Sequence, residues 1–294
     1  MMIWEWLKAF LYGLIEGITE WLPISSTGHL ILLEELLPFC FSSDAALTSA
    51  FAEMFEVVIQ LGAILAVVFL MRERLFPKSM FISPEDRRTT LGLWGRLLVA
   101  SIPAALLGVV GDALLETASG KDIDGWLYNA VVVAIALVVY GVAFLWIEKH
   151  RKTDARITEI SQISFRDALS VGAFQALSLI PGTSRSGATV LGAMTLGFSR
   201  TAAAEFSFLM AIPVMMGASA FKMLGFVSYL AESKTVLPID GWIALAIGCL
   251  TAFAVSLIAI RFLMDFVKKH SLAAFGIYRI FLGAVVLIWW FLRG

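Results

Sequence analysis

The chain has 294 residues, of which 60% are hydrophobic and 15% charged, and its formal net charge is −1. A water-soluble domain of this length cannot bury so much apolar surface, so the composition excludes an ordinary soluble protein. The near-zero net charge gives no global basic field and argues against nucleic acid as a partner. We therefore predict an all-α polytopic membrane protein.

Six apolar runs are long enough to cross a bilayer, which takes roughly 20 helical residues. They cover about 51–71, 93–115, 126–147, 203–229, 240–263 and 272–292. Lys and Arg concentrate in the connecting segments 72–92, 148–166 and 264–271, whereas 38–50, 116–125 and 230–239 together hold only Lys121 and Lys234. The positive-inside rule places the three basic loops in the cytoplasm. The sides then alternate consistently, with both chain ends on the outer side.

Two further apolar stretches, 3–37 and 167–198, are interrupted by Pro, Gly, Ser and Thr. Each half is short for a crossing, and the sidedness closes only if each stretch returns to its starting face. We therefore predict two re-entrant helix–loop–helix hairpins. Broken backbone is tolerated at membrane depth only where protein or a wet cavity surrounds it.

The two hairpins resemble each other at a shift of 159 positions. Aligned pairs are Gly13 with Gly172, Glu16 with Gln175, Thr19 with Ser178, Ser25 with Ser184, Thr27 with Ser186 and Gly28 with Gly187. Three spans follow each hairpin, so the second copy must be inverted relative to the first. We predict a single membrane domain, 1–294, in two inverted repeats. The first, 1–147, and the second, 166–294, each contain one hairpin and three spans.

Two glutamates precede the first break. Glu16 and Glu20 are four residues apart, so they share a helix face and repel each other. Charges inside a membrane segment usually mark function. A divalent cation, Mg²⁺ or Ca²⁺, that bridges both carboxylates and a phosphate would offset the repulsion. We predict both glutamates as metal ligands and Glu20 as a catalytic residue.

The second break reads PGTSRSGAT, residues 181–189. The Pro-Gly pair stops one helix, and the next helix begins with free N–H groups that suit an anion. Arg185 adds a permanently charged fork that matches phosphate oxygens. This pattern predicts a phosphate cradle with Arg185 as its catalytic residue. The predicted substrate-binding residues of the cradle are Gly182, Thr183, Ser184, Ser186 and Thr189.

The first break, PISSTGH, is built in the same way. Ser25 and Thr27 are predicted to bind substrate. Ser26 precedes His29 by three residues, so at a helix start the imidazole can reach the hydroxyl. Histidine is the side chain best suited to moving protons near neutral pH. We therefore predict that Ser26 and His29 are catalytic.

Other polar residues lie inside the predicted spans. Glu56 and Gln60 share a helical face, and Glu205 begins a span soon after the second break. We predict that these three surround the site. Arg261 and Arg279 lie near predicted cytoplasmic ends and are expected to anchor their helices at the membrane interface.

Four segments, EGITEWLPISSTGH, FEVVIQLGAILAVV, PGTSRSGAT and AAEFSFLMAIPVMMGA, resemble the bacterial undecaprenyl-diphosphate phosphatase (bacitracin-resistance) family. The resemblance covers essentially the whole chain. It implies dephosphorylation of undecaprenyl diphosphate in the bacterial cytoplasmic (inner) membrane, a divalent-metal requirement and an outward-facing site. The family's functional residues correspond to Glu16, Glu20, Ser26, His29 and Arg185.

For the mechanism, we expect Ser26 to attack the terminal phosphorus with His29 as its base. Two variants stay open, in which His29 is itself the nucleophile or a metal activates water directly. The main alternative function is a polyprenyl-phosphate flippase or a bifunctional protein, because inverted re-entrant repeats are a transporter plan. The expected partners are the lipid substrate and membrane lipid. The sequence leaves open the preferred metal, the prenyl chain length and the oligomeric state, with a homodimer among the options.

Overall fold

The computed structural model describes residues 2–41, 44–120, 126–127, 129–150 and 154–293. These ranges fold into helices. They are α1 (Met2–Thr19), α2 (Ser26–Leu36), α3 (Ala45–Val58), α4 (Gln60–Leu70), α5 (Arg72–Leu75), α6 (Pro84–Ser119), α7 (Ala130–His150), α8 (Phe165–Ala176), α9 (Arg185–Thr195), α10 (Arg200–Ser233), α11 (Ile239–Lys269) and α12 (Ala273–Arg293). Short 3-10 turns occupy Lys78–Phe81, Ile160–Gln162 and Leu177–Leu179.

Six helical segments are long and apolar enough to cross a membrane. They are Ala45–Leu70, Pro84–Ser119, Ala130–His150, Arg200–Ser233, Ile239–Lys269 and Ala273–Leu292. They match the six predicted spans in order, which confirms a multi-pass membrane protein. The first span consists of α3 and α4, which meet at Ile59. Residue 128 of the predicted span 126–147 and Lys121 of the loop before it lie outside the described residues.

Both predicted breaks are present. Residues 20–25 separate α1 from α2, and a 3-10 turn with residues 180–184 separates α8 from α9. Ser25 caps α2 with φ of 77° and accepts from the Gly28 amide at 3.3 Å, and Ser184 caps α9 with φ of 67° and accepts from the Gly187 amide at 3.2 Å. Positive φ is uncommon outside glycine. The pairs that align in sequence therefore share an unusual backbone conformation.

The two halves of the chain pack through exchanged partners. Helix α1 lies along α11, and α8 lies along α6. Backbones approach closely at aligned glycines, because a Cβ on Gly13 would collide with the Gly248 carbonyl and one on Gly172 with the Ala100 carbonyl. The last span of the first half, α7, packs against the last span of the second half, α12. This exchange brings the first break beside the second.

A capping box starts α8. The Ser164 hydroxyl accepts from the Asp167 amide at 3.1 Å, and an Asp167 carboxylate oxygen accepts from the Ser164 amide at 3.0 Å. Arg156 donates to the same carboxylate at 2.6 Å. Burial by itself would raise the pKa of Asp167, but the hydrogen bonds from Arg156 and Ser164 hold this pKa below its ordinary value. These contacts fix the start of the second helix–break–helix segment.

Candidate active site

Glu20 joins the two breaks. Its Oε1 accepts from Nε and Nη2 of Arg185 at 3.2 and 3.1 Å, and its Oε2 accepts from the Ser26 hydroxyl at 3.0 Å. The backbone carbonyl of Glu20 accepts from the Ser186 hydroxyl at 2.9 Å. The side chains of Arg185 and Glu20 are only 9% and 7% exposed, so water screens their interaction weakly. The structure thus brings together the predicted acid, hydroxyl and arginine.

Helix α10 packs beside Arg185 and contacts its guanidinium. The Ser207 carbonyl accepts from Arg185 Nη1 at 2.9 Å, and the Ser207 hydroxyl lies 2.6 Å from the Thr189 hydroxyl. The Arg185 guanidinium also lies over the Trp21 ring, 5.7 Å from its centroid. These contacts fix the orientation of the guanidinium. Ser207 and Trp21 were not selected from the sequence, because nothing in their spacing indicates contact with the second break.

Both ring nitrogens of His29 have partners other than Ser26. Nδ1 lies 2.6 Å from the Ser25 carbonyl oxygen, and Nε2 lies 2.7 Å from the Tyr278 hydroxyl. A carbonyl oxygen can only accept, so Nδ1 carries a proton and Nε2 of the neutral ring accepts from Tyr278. The predicted hydrogen bond between His29 and Ser26 is therefore replaced by the bond from Ser26 to Glu20. Tyr278 was missed from the sequence because it lies 249 positions from His29.

Glu16 is fully buried, and neither of its carboxylate oxygens has a hydrogen-bond partner in the described part of the chain. A buried carboxylate needs a proton or a cation, so its oxygens fit the predicted divalent metal. The described residues contain no group of three or more His, Cys, Asp or Glu side chains arranged to hold a metal ion. A cation beside Glu16 would therefore need further oxygen ligands, which a diphosphate can supply.

The remaining predicted residues divide between the site and other places. Thr27 is half-buried in the first turn of α2, and Glu56 is half-buried within α3. Gln60 begins α4 and is half-buried. The structure does not place Glu205 at the breaks. Its carboxylate pairs with Arg74 at 2.6 Å in a separate cavity of about 430 Å³.

Arg279 is not an interface anchor, as its position in the sequence suggested, because it is fully buried. Its Nη2 donates to the carbonyls of Gly182 and Thr183 at 2.8 and 2.9 Å, and its Nη1 donates to the Pro23 carbonyl at 3.3 Å. Helix α12 therefore contributes two consecutive residues, Tyr278 and Arg279, to the site. The depth at which α12 meets the breaks could not be predicted from hydrophobic patterning.

A family model described as bacitracin resistance protein BacA matches residues 9–285. The chain belongs to this family. Curated relatives named undecaprenyl-diphosphatase include one from Enterococcus faecalis, 48% identical over 284 residues (96% of each chain), and one from Acetivibrio thermocellus, 46% identical over 286 residues (97% of each). A third, from Streptococcus equi subsp. zooepidemicus, is 47% identical over 290 residues (98% of each). None of these three is named as a lipid carrier, so the flippase alternative gains no support from them.

Proposed function

We propose that this chain is an undecaprenyl-diphosphatase, which hydrolyses undecaprenyl diphosphate to undecaprenyl phosphate and inorganic phosphate. As a membrane phosphatase it recycles the lipid carrier for cell-wall synthesis, and in doing so confers bacitracin resistance. The observation that carries the proposal is Glu20, whose carboxylate links Ser26 of the first break to Arg185 of the second. The activity named for the relatives agrees with this chemistry.

The proposal includes the arrangement in the membrane. The two helix–break–helix segments are re-entrant hairpins of an inverted repeat in the bacterial cytoplasmic membrane, and the site opens to the outer face. The matching serine caps and the exchanged helix partners support this arrangement. A pseudo-two-fold axis in the membrane plane would place both breaks near the midplane, with the prenyl tail in lipid. Oligomeric state, including a homodimer, stays a prediction.

In the first step, Ser26 Oγ attacks the terminal phosphorus, and the bond from that phosphorus to the bridging oxygen breaks. Undecaprenyl phosphate leaves, and a phosphoserine remains. The hydroxyl proton passes to Glu20 Oε2, because Ser26 already donates to that oxygen. Arg185 stays on Glu20 Oε1 and stabilises the charge on the phosphoryl oxygens. The geometry thus supports Glu20, rather than His29, as the base for Ser26.

In the second step, water attacks the phosphoserine and releases inorganic phosphate. Nδ1 of His29 keeps its bond to the Ser25 carbonyl, and Nε2 accepts the water proton in place of its resting hydrogen bond from the Tyr278 hydroxyl. The proton on Glu20 returns to Ser26 as the serine oxygen leaves. His29 then returns its proton to solvent or phosphate, which restores the starting state.

Glu16 would hold the proposed divalent cation together with diphosphate oxygens, because both oxygens of Glu20, the other predicted ligand, already accept from Arg185 and Ser26. When bound, such an ion neutralises charge on the diphosphate and removes the repulsion between the glutamates. The buried carboxylate of Glu16, which has no hydrogen-bond partner in the described ranges, supports this assignment.

The deciding experiment measures phosphate release by the purified protein in detergent, with and without Mg²⁺, from prenyl diphosphates of several lengths. We expect release that requires the metal and is fastest with long prenyl chains. No release above background from a folded protein would overturn the proposed activity, and full activity in chelator would remove the metal from it.

The covalent intermediate has its own test. Rapid quenching with terminally labelled substrate should leave label on the protein that survives acid, as expected of phosphoserine. Acid-labile label would assign the attack to His29, and no trapped label would favour direct attack by water. The Ser101→Ala variant should keep the label, because this hydroxyl donates to the Leu97 carbonyl within α6.

A further inference from the structure

Arg279 is a fully buried cation whose only partners in the described chain are uncharged. No carboxylate of the described residues lies within ion-pair distance of its guanidinium. Its partners are three backbone carbonyls and the Tyr140 ring, whose centroid is 5.5 Å away. Removing a charge from water without a counter-charge is expensive. An arriving anion such as phosphate would supply the missing counter-charge.

The contacts of Arg279 reach both breaks at once. One guanidinium nitrogen binds the Pro23 carbonyl of the first break, and the other binds the Gly182 and Thr183 carbonyls of the second. In a trans peptide the N–H points opposite to the C=O. The amide of Ser184 is therefore turned away from Arg279. Carbonyl oxygens that accept from Arg279 repel a phosphate oxygen less than unpaired carbonyl oxygens would.

The two arginines of the site differ in charge balance. The Arg185 charge is already matched by Glu20 at 3.1 Å, whereas the Arg279 charge is not matched by any described carboxylate. We propose that Arg279 is a positioning residue that holds the two breaks in register and supplies the uncompensated positive charge for the phosphate. This inference rests on the proposed active site. It adds a residue outside both break motifs.

A glycine makes room for this arginine. A Cβ on Gly187 would lie 3.2 Å from Arg279 Nη1, whereas a Cβ on the aligned Gly28 would meet only the Leu137 and Leu282 side chains at 3.3 Å or more. Both glycines occupy the same position after a serine cap. Gly187→Ala and Gly28→Ala therefore form a matched pair that differs in its effect on Arg279.

The test compares Arg279→Met, Arg279→Lys and the two glycine variants, using inorganic phosphate as an inhibitor. We expect Arg279→Met to lower kcat/KM at least about 100-fold and to weaken phosphate inhibition about tenfold or more. Arg279→Lys keeps the charge but cannot span three carbonyls, so kcat should fall roughly tenfold while phosphate inhibition stays near normal. Gly187→Ala should resemble Arg279→Lys, and Gly28→Ala should stay within about twofold of the parent.

A purely structural role would lower thermal stability and the active fraction but leave phosphate inhibition unchanged in every variant. That result, or normal kinetics in folded Arg279→Met, would overturn the inference. Should Arg279→Met fail to fold, the lysine and glycine variants decide by the same readouts. Arg185→Ala is measured in parallel. If it retains turnover, the proposed site itself is wrong, whereas an inactive Arg185→Ala beside normal Arg279 variants removes this inference alone.

Discussion

The two breaks have the same backbone conformation where their second helix begins, but their functional side chains differ in charge. Each begins its second helix after a serine in a left-handed conformation, and at the same aligned position the next residue is Ser26 in one break and Arg185 in the other. Both of these residues bind the carboxylate of Glu20. Two breaks with the same cap geometry thus meet at one carboxylate. The cap geometry is the same in both breaks, whereas the first carries the acids and the histidine and the second carries the arginine.

The largest expected effect comes from removing the ion pair between Glu20 and Arg185, which joins the two breaks. Arg185→Ala and Glu20→Ala should each lower kcat/KM by roughly 10³-fold or more, because transition-state charge loses its partner and a buried charge is left unpaired. Phosphate release from purified protein measures the loss, and thermal unfolding confirms a folded state. Arg261→Ala is the control, since Arg261 is exposed and lines the separate cavity. Near-normal turnover in either site variant would contradict a shared site.

A second test replaces Glu16 with glutamine, the residue that the second segment has at the aligned position. Glu16 and Gln175 are both fully buried, and their side-chain polar atoms have no hydrogen-bond partner among the described residues. Glu16→Gln should raise the Mg²⁺ concentration needed for half-maximal activity roughly 10- to 100-fold, the range seen when groups around a metal are changed. Gln175→Met is the matched control and should leave the metal dependence unchanged. An equal metal response in both variants would remove Glu16 from the metal site.

A third test concerns His29 and its partner Tyr278. The second break has Ala188 at the position aligned with His29. Tyr278→Phe removes one of the two hydrogen bonds that orient the imidazole, worth about 1 kcal/mol, so kcat should fall about fivefold. The pH dependence of kcat should change as well, because Nε2 loses its donor. Tyr229→Phe, on α10, should show neither effect. An unchanged pH profile in Tyr278→Phe would mean that the phenol does not act on the histidine.

The smallest effect concerns the anchor of the second break. Asp167→Asn weakens the capping box and the Arg156 contact, so at neutral pH stability should fall by about 1 kcal/mol. The folded-state pKa of Asp167 lies below its ordinary value, so its contribution is present above that ordinary pKa and is lost as pH falls through the folded pKa. Thermal unfolding should show the variant and parent converging in acid. A constant difference at all pH values would contradict the ionic account.

Hydropathy and the positions of Pro, Gly and hydroxyl residues predicted much of this fold. The six spans appear in order, because an apolar run of this length has few other stable forms in a membrane. Several helices extend beyond the apolar runs where caps permit, as at Ser83 before α6, which starts at Pro84 rather than near residue 93. The residues of both breaks were also predictable, because Pro, Gly and hydroxyl side chains interrupt an apolar stretch there.

Contacts between distant elements could not be predicted. Hydrophobic patterning gives the length of α12 but neither its depth nor its rotation, so Arg279 was wrongly expected at the interface and Tyr278 was missed. Glu205 was expected near the site because it follows the second break, yet its side chain turns to Arg74. The base for Ser26 depended on which acceptor the fold brings closest. Sequence proximity favoured His29, and the structure favours Glu20.

The central claim is that the two breaks act as one site through Glu20, and a double-mutant cycle on kcat/KM tests it most directly. Glu20→Gln, Arg185→Met and the double variant are compared with the parent in the same phosphate-release assay. Residues that act as a unit are strongly non-additive, so the double variant should be no worse than the poorer single variant. Losses that multiply in the double variant would show that the two breaks work independently, and would contradict the account.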